Sequence, residues 1–275
     1  MALQTIYVVR HGFRSNWVTQ GPYPDPPLGI ENDVPLAEHG LDQAKDVAKY
    51  IATFPEDKKP QLIISSPFYR CIQTSKPTAE LLQLPLYLER GLGEWFVPER
   101  ENIPVPAGIK DLEKFFPGLL SNGWDNCTVP SNKGETEDEI LQRCYKFWAA
   151  FFKQVEEKFP NVTNVILFTH AATKAALGTS ILGLKNVRDP IDDKGTIIRS
   201  GSCSMDRYER SHDDKHKWKM TMNGNASYLT NGEEMNWNFQ KRFKAATDAE
   251  IKIRLAANEE IIKEKGAKAA ATVLD

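Results

Sequence analysis

YVVRHGFRSNW, residues 7 to 17, is the stretch on which the reading of the fold turns. With Ile6 it opens as a run of β-branched and aromatic side chains with no polar interruption, the pattern of a strand buried on both faces of a parallel sheet. The run stops abruptly at Arg10-His11-Gly12, and Arg14 follows at once. A buried strand that ends in two guanidiniums and an imidazole is poor packing, because clustered cations repel unless an anion sits among them.

Apolar runs of strand length recur at Leu62 to Ile64, Leu86 to Leu88 and Val165 to Phe168, with helical periodicity between them. Such alternation predicts an α/β fold: a three-layer sandwich with a mostly parallel central sheet flanked by helices. Leu41, Ala44, Val47, Ala48 and Ile51 form one apolar stripe, so a helix is expected over residues 38 to 54. Ser66-Pro67 reads as an N-cap followed by proline at the first helical position, with Arg70 close behind. Thr136-x-x-Glu139 reads as a capping box at the head of a long helix, and another helix should run from His170 to Leu182.

Two stretches break the alternation, the proline-rich segment from Gly21 to Pro35 and the run from Pro98 to Gly134. Loops that long commonly form lids or binding walls, so 18–35 and 98–134 are read as lid-like insertions in one main domain spanning 1–245. Pieces from Cys203 to Tyr208 and Trp218 to Met222 suggest a late antiparallel addition. Residues 246–275 are assigned to a C-terminal surface helix, over 247–264, and an Ala-rich tail.

With 41% hydrophobic residues, 26% charged and a net charge of -2, the 275-residue chain gives no electrostatic reason to expect nucleic acid or an anionic membrane as partner. Any anion site must be built locally. Cys71, Cys127, Cys144 and Cys203 show neither CxxC pairing nor histidines at zinc-ligand spacing, so free thiols are expected and no metal or cofactor. No apolar segment approaches the roughly 20 residues needed to span a bilayer, and the first strand starts too early for a signal peptide. The expected location is therefore cytoplasmic, nuclear or both. The Asn-x-Ser/Thr triplets at Asn126, Asn161 and Asn225 are then read as chance matches.

Ligands of open parallel sheets bind beyond the carboxyl ends of the strands. The strands should deliver Arg10, His11 and Arg14 from the first, Ser65, Ser66 and Arg70 from the second, Glu89 to Glu94 from the third, and Thr169-His170 from the fourth. Arginine forks match phosphoryl oxygens, and a histidine among them can attack phosphorus through one ring nitrogen if the other is held protonated. Gly12 is expected to let the chain turn tightly. Glu94 is the candidate proton donor, with Trp95 as an apolar neighbour that would raise its pKa. Each has a blander reading when taken alone. His170 could cap a helix, Arg70 could be a solvated helix arginine, and Glu89, Glu99 and Glu101 compete with Glu94. His39 is expected to be solvated, and His212 and His216 lie in a polar loop. Gly91-Leu92-Gly93 reads as a turn. Trp17, Tyr23, Trp95 and Trp124 could together wall the pocket for an aryl leaving group.

Six elements in order resemble the histidine phosphatases, the phosphoglycerate mutase-like superfamily: Arg10-His11-Gly12, Pro35-Leu36-x-Glu38-x-Gly40-x-x-Gln43-Ala44, Ser65-Ser66-Pro67-x-x-Arg70, Glu94, Gly134-Glu135-Thr136 and Thr169-His170-Ala171. The resemblance covers residues 5 to 240. It implies a metal-independent phosphomonoesterase with His11 as phosphorylated nucleophile, Arg10, Arg70 and His170 as the phosphate clamp, and Glu94 as general acid. Phe13 departs from the mutase pattern, and Arg14 adds a further phosphate-binding candidate. Ala171 stands where acid phosphatases carry their aspartate donor, which leaves the acid to Glu94.

Further stretches, among them residues 21–26, 66–71, 199–204 and 232–239, are similar to the histidine-phosphatase domain of the fungal transcription factor IIIC tau subunit and its stand-alone relatives. The expected substrate is a phosphorylated small molecule or phosphopeptide, aryl phosphates first. Sugar-phosphate hydrolysis, mutase activity and a protein-interaction role within a complex are the alternatives.

Overall fold

The computed structural model describes residues 3–18, 22–211, 214, 217–240 and 256. His212, His216 and, apart from residue 256, the helix expected over 247–264 lie outside the described residues. Six strands form one sheet: β1 (Thr5–Arg10), β2 (Leu62–Ser65), β3 (Leu86–Leu88), β4 (Asn164–Thr169), β5 (Met205–Arg210) and β6 (Trp218–Asn225). Their order is β3-β2-β4-β1-β5-β6, parallel from β3 to β1, with β5 and β6 added antiparallel. The three-layer α/β sandwich expected from the alternation is the architecture observed.

Alternating side chains of the central strands feed two separate cores. Ile6 and Val8 of β1, with Val165 and Leu167 of β4, pack against α4 (Glu137–Lys158) and α5 (Ala171–Ile181). Tyr7, Val9, Ile166 and Phe168 face the opposite way, against α1 (Glu38–Ala52) and α2 (Tyr69–Leu82). The period-2 pleat thus turns each uninterrupted apolar run into two buried faces. A short α3 (Ile109–Leu112) lies in the 98–134 segment, which runs along the sheet edge: Leu86 N–H donates to Leu119 O and Ser121 N–H donates to Leu86 O. The edge strand is thereby covered.

Helix starts follow the sequence reading in one case and depart from it in another. Thr136 and Glu139 form the reciprocal capping box at the head of α4. Ser66, by contrast, is not an N-cap. The helix begins at Tyr69, whose N–H is taken by Asp33 Oδ1 at 2.8 Å, and the Ser66 hydroxyl is engaged by His170. Helix α5 is buried on nearly all sides, and its Lys174 ammonium meets Asp206 Oδ1 of β5 at 2.6 Å and Arg199 O at 2.6 Å. Burial of that charge is tolerated because it is paired, and Asp206 also accepts from Gly224 N–H and the Tyr208 hydroxyl.

Register brings the strand ends level. Arg10 pairs with Thr169 and Ser65 with Phe168, so His11 and His170 leave the sheet side by side and Ser66 leaves it one residue behind them. His11 N–H donates to Thr169 O and Ser66 N–H to Phe168 O, both at 2.9 Å, carrying the ladder one step past the strands.

Gly12 has a different role from the one expected. It does not hold a positive φ; a Cβ there would sit 2.7 Å from Gly40 O, and one at Gly40 would sit 2.1 Å from Phe13 O. The two glycines let the start of α1 lie directly on the loop after β1. Gly40→Ala is therefore expected to destabilise the fold by about 1–3 kcal/mol and to lower activity by shifting Phe13 and His11. Gly108→Ala, where a Cβ meets nothing within 4 Å, should change stability by under about 0.5 kcal/mol. Urea unfolding of both variants checks the contrast.

Candidate active site

His11 is buried at the end of β1, and its Nδ1 lies 2.9 Å from Gly12 O. A carbonyl can only accept, so Nδ1 carries the proton and Nε2 presents its lone pair. Burial, together with the positive charges of Arg70, Arg10 and Arg14 and the neighbouring His170, holds this imidazole well below its ordinary pKa of 6.5. The neutral ring, with the Nε2 lone pair exposed to the cluster, is therefore the favoured form. The loop that carries it is fixed from behind: Gly12 N–H donates to Thr74 Oγ1 of α2, and Phe13 N–H to Gln43 Oε1 of α1.

The expected cations surround it. Arg10 is anchored by the carbonyls of Ser200 and Met235, at 2.6 and 2.5 Å, and lies over the Trp17 ring. Arg14 approaches the same ring, 5.5 Å from its centroid. Arg70 is 1% exposed; it donates to Asn32 O, Asp33 Oδ1, Glu94 Oε2 and His170 Nδ1. Its Nε is buried without a hydrogen-bond partner among the described residues. Since Arg70 only donates, His170 Nδ1 is the acceptor, and His170 Nε2–H donates to Ser66 Oγ at 2.9 Å. Burial pushes the His170 pKa down to about 4 despite the facing Glu94, with Arg70 and Arg14 lowering it further. His170 is neutral here and caps α5 through no side-chain hydrogen bond.

One ligand atom from each of His11, Glu94 and His170 lies within 4.8 Å of the others, a spacing that would also suit a metal ion. Charge decides between the two readings. Three buried guanidiniums converge on this point against the two carboxylates of Glu94 and Asp33, so the balance of charge favours an anion over a divalent cation. The donor set suits a phosphoryl group.

Glu94 is held in place by the segments around it. Its Oε1 accepts from Trp95 N–H, and its Oε2 lies 3.3 Å from His170 Nδ1. Thr169 and Thr173 hydroxyls donate to Leu92 O and Gly93 O just before it, each at 2.6 Å. The Gly134-Glu135-Thr136 turn supports the other side: Glu135 N–H donates to Phe96 O, Trp95 Nε1–H to Glu135 O, and the Glu135 carboxylate is gripped by Arg143. Gly134, at φ +79, packs against Val97 and Pro98. Of the competing carboxylates, Glu99 and Glu101 are exposed. Glu89 is buried away from the cluster, accepting from Gly91 N–H, Trp124 Nε1–H and Cys127 N–H.

Trp95 does not raise the Glu94 pKa as expected. Its ring packs into the core against Trp237 and Phe239. Burial does raise Glu94, but His170 in its protonated form, together with Arg70 and Arg14, outweighs it and holds the carboxyl below its ordinary range.

The aromatic wall is also differently composed. Trp17 stands beside His11, ring centroids 5.6 Å apart, whereas Trp124 is spent on Phe151, Phe159 and Glu89, and Tyr23 is exposed. In their place are Phe68, edge-on to His170, and Phe96. Asp33 is a site residue that pattern reading missed. It lies buried in the proline-rich segment before α1, bonded to Arg70 and Tyr69 N–H, and burial lifts its pKa to about 6 against the pull of Arg70. His39 is not simply solvated: its Nε2 meets Glu234 Oε2 at 2.6 Å, an oxygen that also accepts from Gln43. Gly91 falls in a single 3-10 turn, Arg90–Leu92, as the turn reading expects.

Residues 6–191 match the model of the histidine phosphatase superfamily, branch 1. The chain is 50% identical over 274 residues to the transcription factor tau 55 kDa subunit of Saccharomyces cerevisiae, an alignment covering 92% of this chain and 62% of that protein. It is 24% identical over 272 residues to the ubiquitin-associated and SH3 domain-containing protein A of Homo sapiens, covering 87% of this chain and 40% of that one. The chain thus spans about three-fifths and two-fifths of these relatives' lengths. Among solved structures, the ecdysone phosphate phosphatase of Bombix mori, in complex with tungstate, matches 79% of this chain and 92% of its own, with TM-score 0.59 and 18% identity. A phosphoserine phosphatase of Entamoeba histolytica matches 82% and 98%, with TM-score 0.52 and 17% identity. At these identities the likeness is one of fold.

Proposed function

The chain belongs to the histidine phosphatase superfamily, phosphoglycerate mutase-like in fold, and on that premise we propose that it is a metal-independent phosphomonoester hydrolase. The observation that carries the reading is the His11 ring, with Nδ1 tied to Gly12 O and Nε2 presented among three buried guanidiniums. His11 Nε2 attacks phosphorus as the ester P–O bond breaks, forming a phosphohistidine. Arg10, Arg14, Arg70 and the His170 side stabilise the charge spread over the equatorial oxygens, which is most of the catalysis in phosphoryl transfer.

Glu94 supplies the proton to the leaving oxygen and then takes one from the water that hydrolyses the phosphohistidine. Its low pKa in the open pocket suits this sequence. A phosphoryl dianion neutralises the guanidiniums and repels the carboxylate, so Glu94 takes up its proton as substrate binds. Aryl phosphates are the preferred substrates, favoured by Trp17, Phe68 and Phe96 around the cluster. Comparable turnover of aryl and sugar phosphates would remove that preference, and isomerisation of a sugar phosphate without phosphate release would point to a mutase.

Phosphate release from p-nitrophenyl phosphate, followed with EDTA present from about pH 4 to 8, tests the reading. Activity should survive EDTA. It should also persist as pH falls through 6.5, where an ordinary histidine protonates, because the neutral nucleophile persists to lower pH when its pKa is depressed. Loss with EDTA, or an acid limb centred at 6.5, would contradict it.

The 50% identity to a transcription factor subunit favours a second role, as a docking partner in a protein complex, with a cytoplasmic or nuclear location. Co-purification with transcription factor IIIC subunits that is unchanged by His11→Ala would support it. No helix among the described residues is long and apolar enough to cross a membrane.

A further inference from the structure

If Glu94 protonates the leaving oxygen, the body of the leaving group must lie in the cleft that Glu94 borders. That cleft is apolar, walled by Phe68, Phe96, Ile103, Val105 and Pro130. Arg90 is the one other charged residue on its walls. A second cleft, formed by the 98–134 segment around Gly108 and Trp124, adjoins it, and Arg90 lines both.

Arg90 is half-buried, and its position is fixed by its backbone: its N–H donates to Asn126 Oδ1 at 2.7 Å, and it sits in the 3-10 turn after β3. Its guanidinium makes no hydrogen bond or ion pair with any described residue. The other arginines of the site are tied to carbonyls, carboxylates or rings. A guanidinium held half out of water in an apolar cleft, with its donors unspent, suits a bidentate anion brought by a ligand.

We propose that Arg90 selects substrates whose leaving group carries a second anionic group, at the junction of the two clefts. Two sources share this chemistry: a small aryl phosphate bearing a carboxylate, or a phosphotyrosyl peptide with an acidic side chain beside the phosphorylated residue. The inference rests on the phosphatase reading and assigns the specificity of that same site.

The test compares matched substrates with wild type and Arg90→Gln. One pair is the phosphate ester of para-hydroxyphenylpropanoate and its uncharged carboxamide; the other is a phosphotyrosyl peptide with glutamate or with glutamine next to phosphotyrosine. Wild type should prefer the charged member of a pair by about 10-fold in kcat/KM, mainly through KM, because the contact is the same in ground and transition states. In Arg90→Gln the ratio should fall to about 1, with the uncharged member unaffected. Gly108→Phe, which fills the outer cleft at a residue of ordinary φ with open space around it, separates the sources. It should slow only peptides if the chain of a peptide lies there, and leave small esters untouched.

Equal turnover of charged and uncharged members by wild type, or a preference that survives Arg90→Gln, overturns the role of Arg90 and leaves the phosphatase reading standing. No turnover of any of the four, with no phosphate transferred to His11, overturns both.

Discussion

His11→Ala is expected to lower kcat/KM on an aryl phosphate by about 10⁴-fold or more, since it removes the atom that forms the intermediate rather than one that stabilises it. The loss should not come from unfolding. His11 contributes one hydrogen bond to an adjacent carbonyl and no core packing beyond its ring contacts with Trp17 and His170. Removing it also leaves Arg10, Arg14 and Arg70 in place, so the variant should still bind inorganic phosphate or vanadate. A urea midpoint close to wild type beside a collapsed rate is the expected pair of results. Substantial residual activity would place the nucleophile elsewhere.

The second large effect is at Glu94. Glutamine there keeps the acceptor for Trp95 N–H and loses the proton. On an alkyl phosphate, whose leaving oxygen needs that proton, Glu94→Gln should cost about 10²- to 10⁴-fold. On p-nitrophenyl phosphate, whose phenolate leaves unaided, formation of the phosphohistidine should be much less affected, while its hydrolysis still lacks a base. A burst of about one equivalent of p-nitrophenol followed by slow turnover should therefore appear in the variant. Stopped-flow absorbance reads it directly. Equal losses on both substrates with no burst would show that Glu94 acts as neither donor nor base.

The layers of the fold are legible because β1 and β4 are buried on both faces, and only an uninterrupted apolar run satisfies that. The long helix α4 is legible from Thr136 and Glu139, a local device whose partners are three residues apart. The convergence of Arg10, His11 and His170 at one edge follows from parallel pairing alone. What could not be read depends on contacts distant in sequence. Asp33 reaches Arg70 and Tyr69 from an irregular proline-rich segment. Glu234 reaches Gln43 and His39 across most of the chain. Ser66 looks like a cap by sequence, yet its hydroxyl is drawn away by His170, 104 residues later. The direction of the Glu94 shift is hidden from the sequence for the same reason. Its sequence neighbour Trp95 points into the core, and the charges that govern it arrive from α2, the loop after β1 and the end of β4.

The central claim is that phosphate passes through His11. Wild-type protein mixed with p-nitrophenyl phosphate, quenched in alkali within the first turnover and mapped by mass spectrometry, should carry one phosphoryl group on His11. That group should be stable to base and lost in acid. A burst of p-nitrophenol with no phosphoryl group on the chain, or with the group on another residue, would contradict the account.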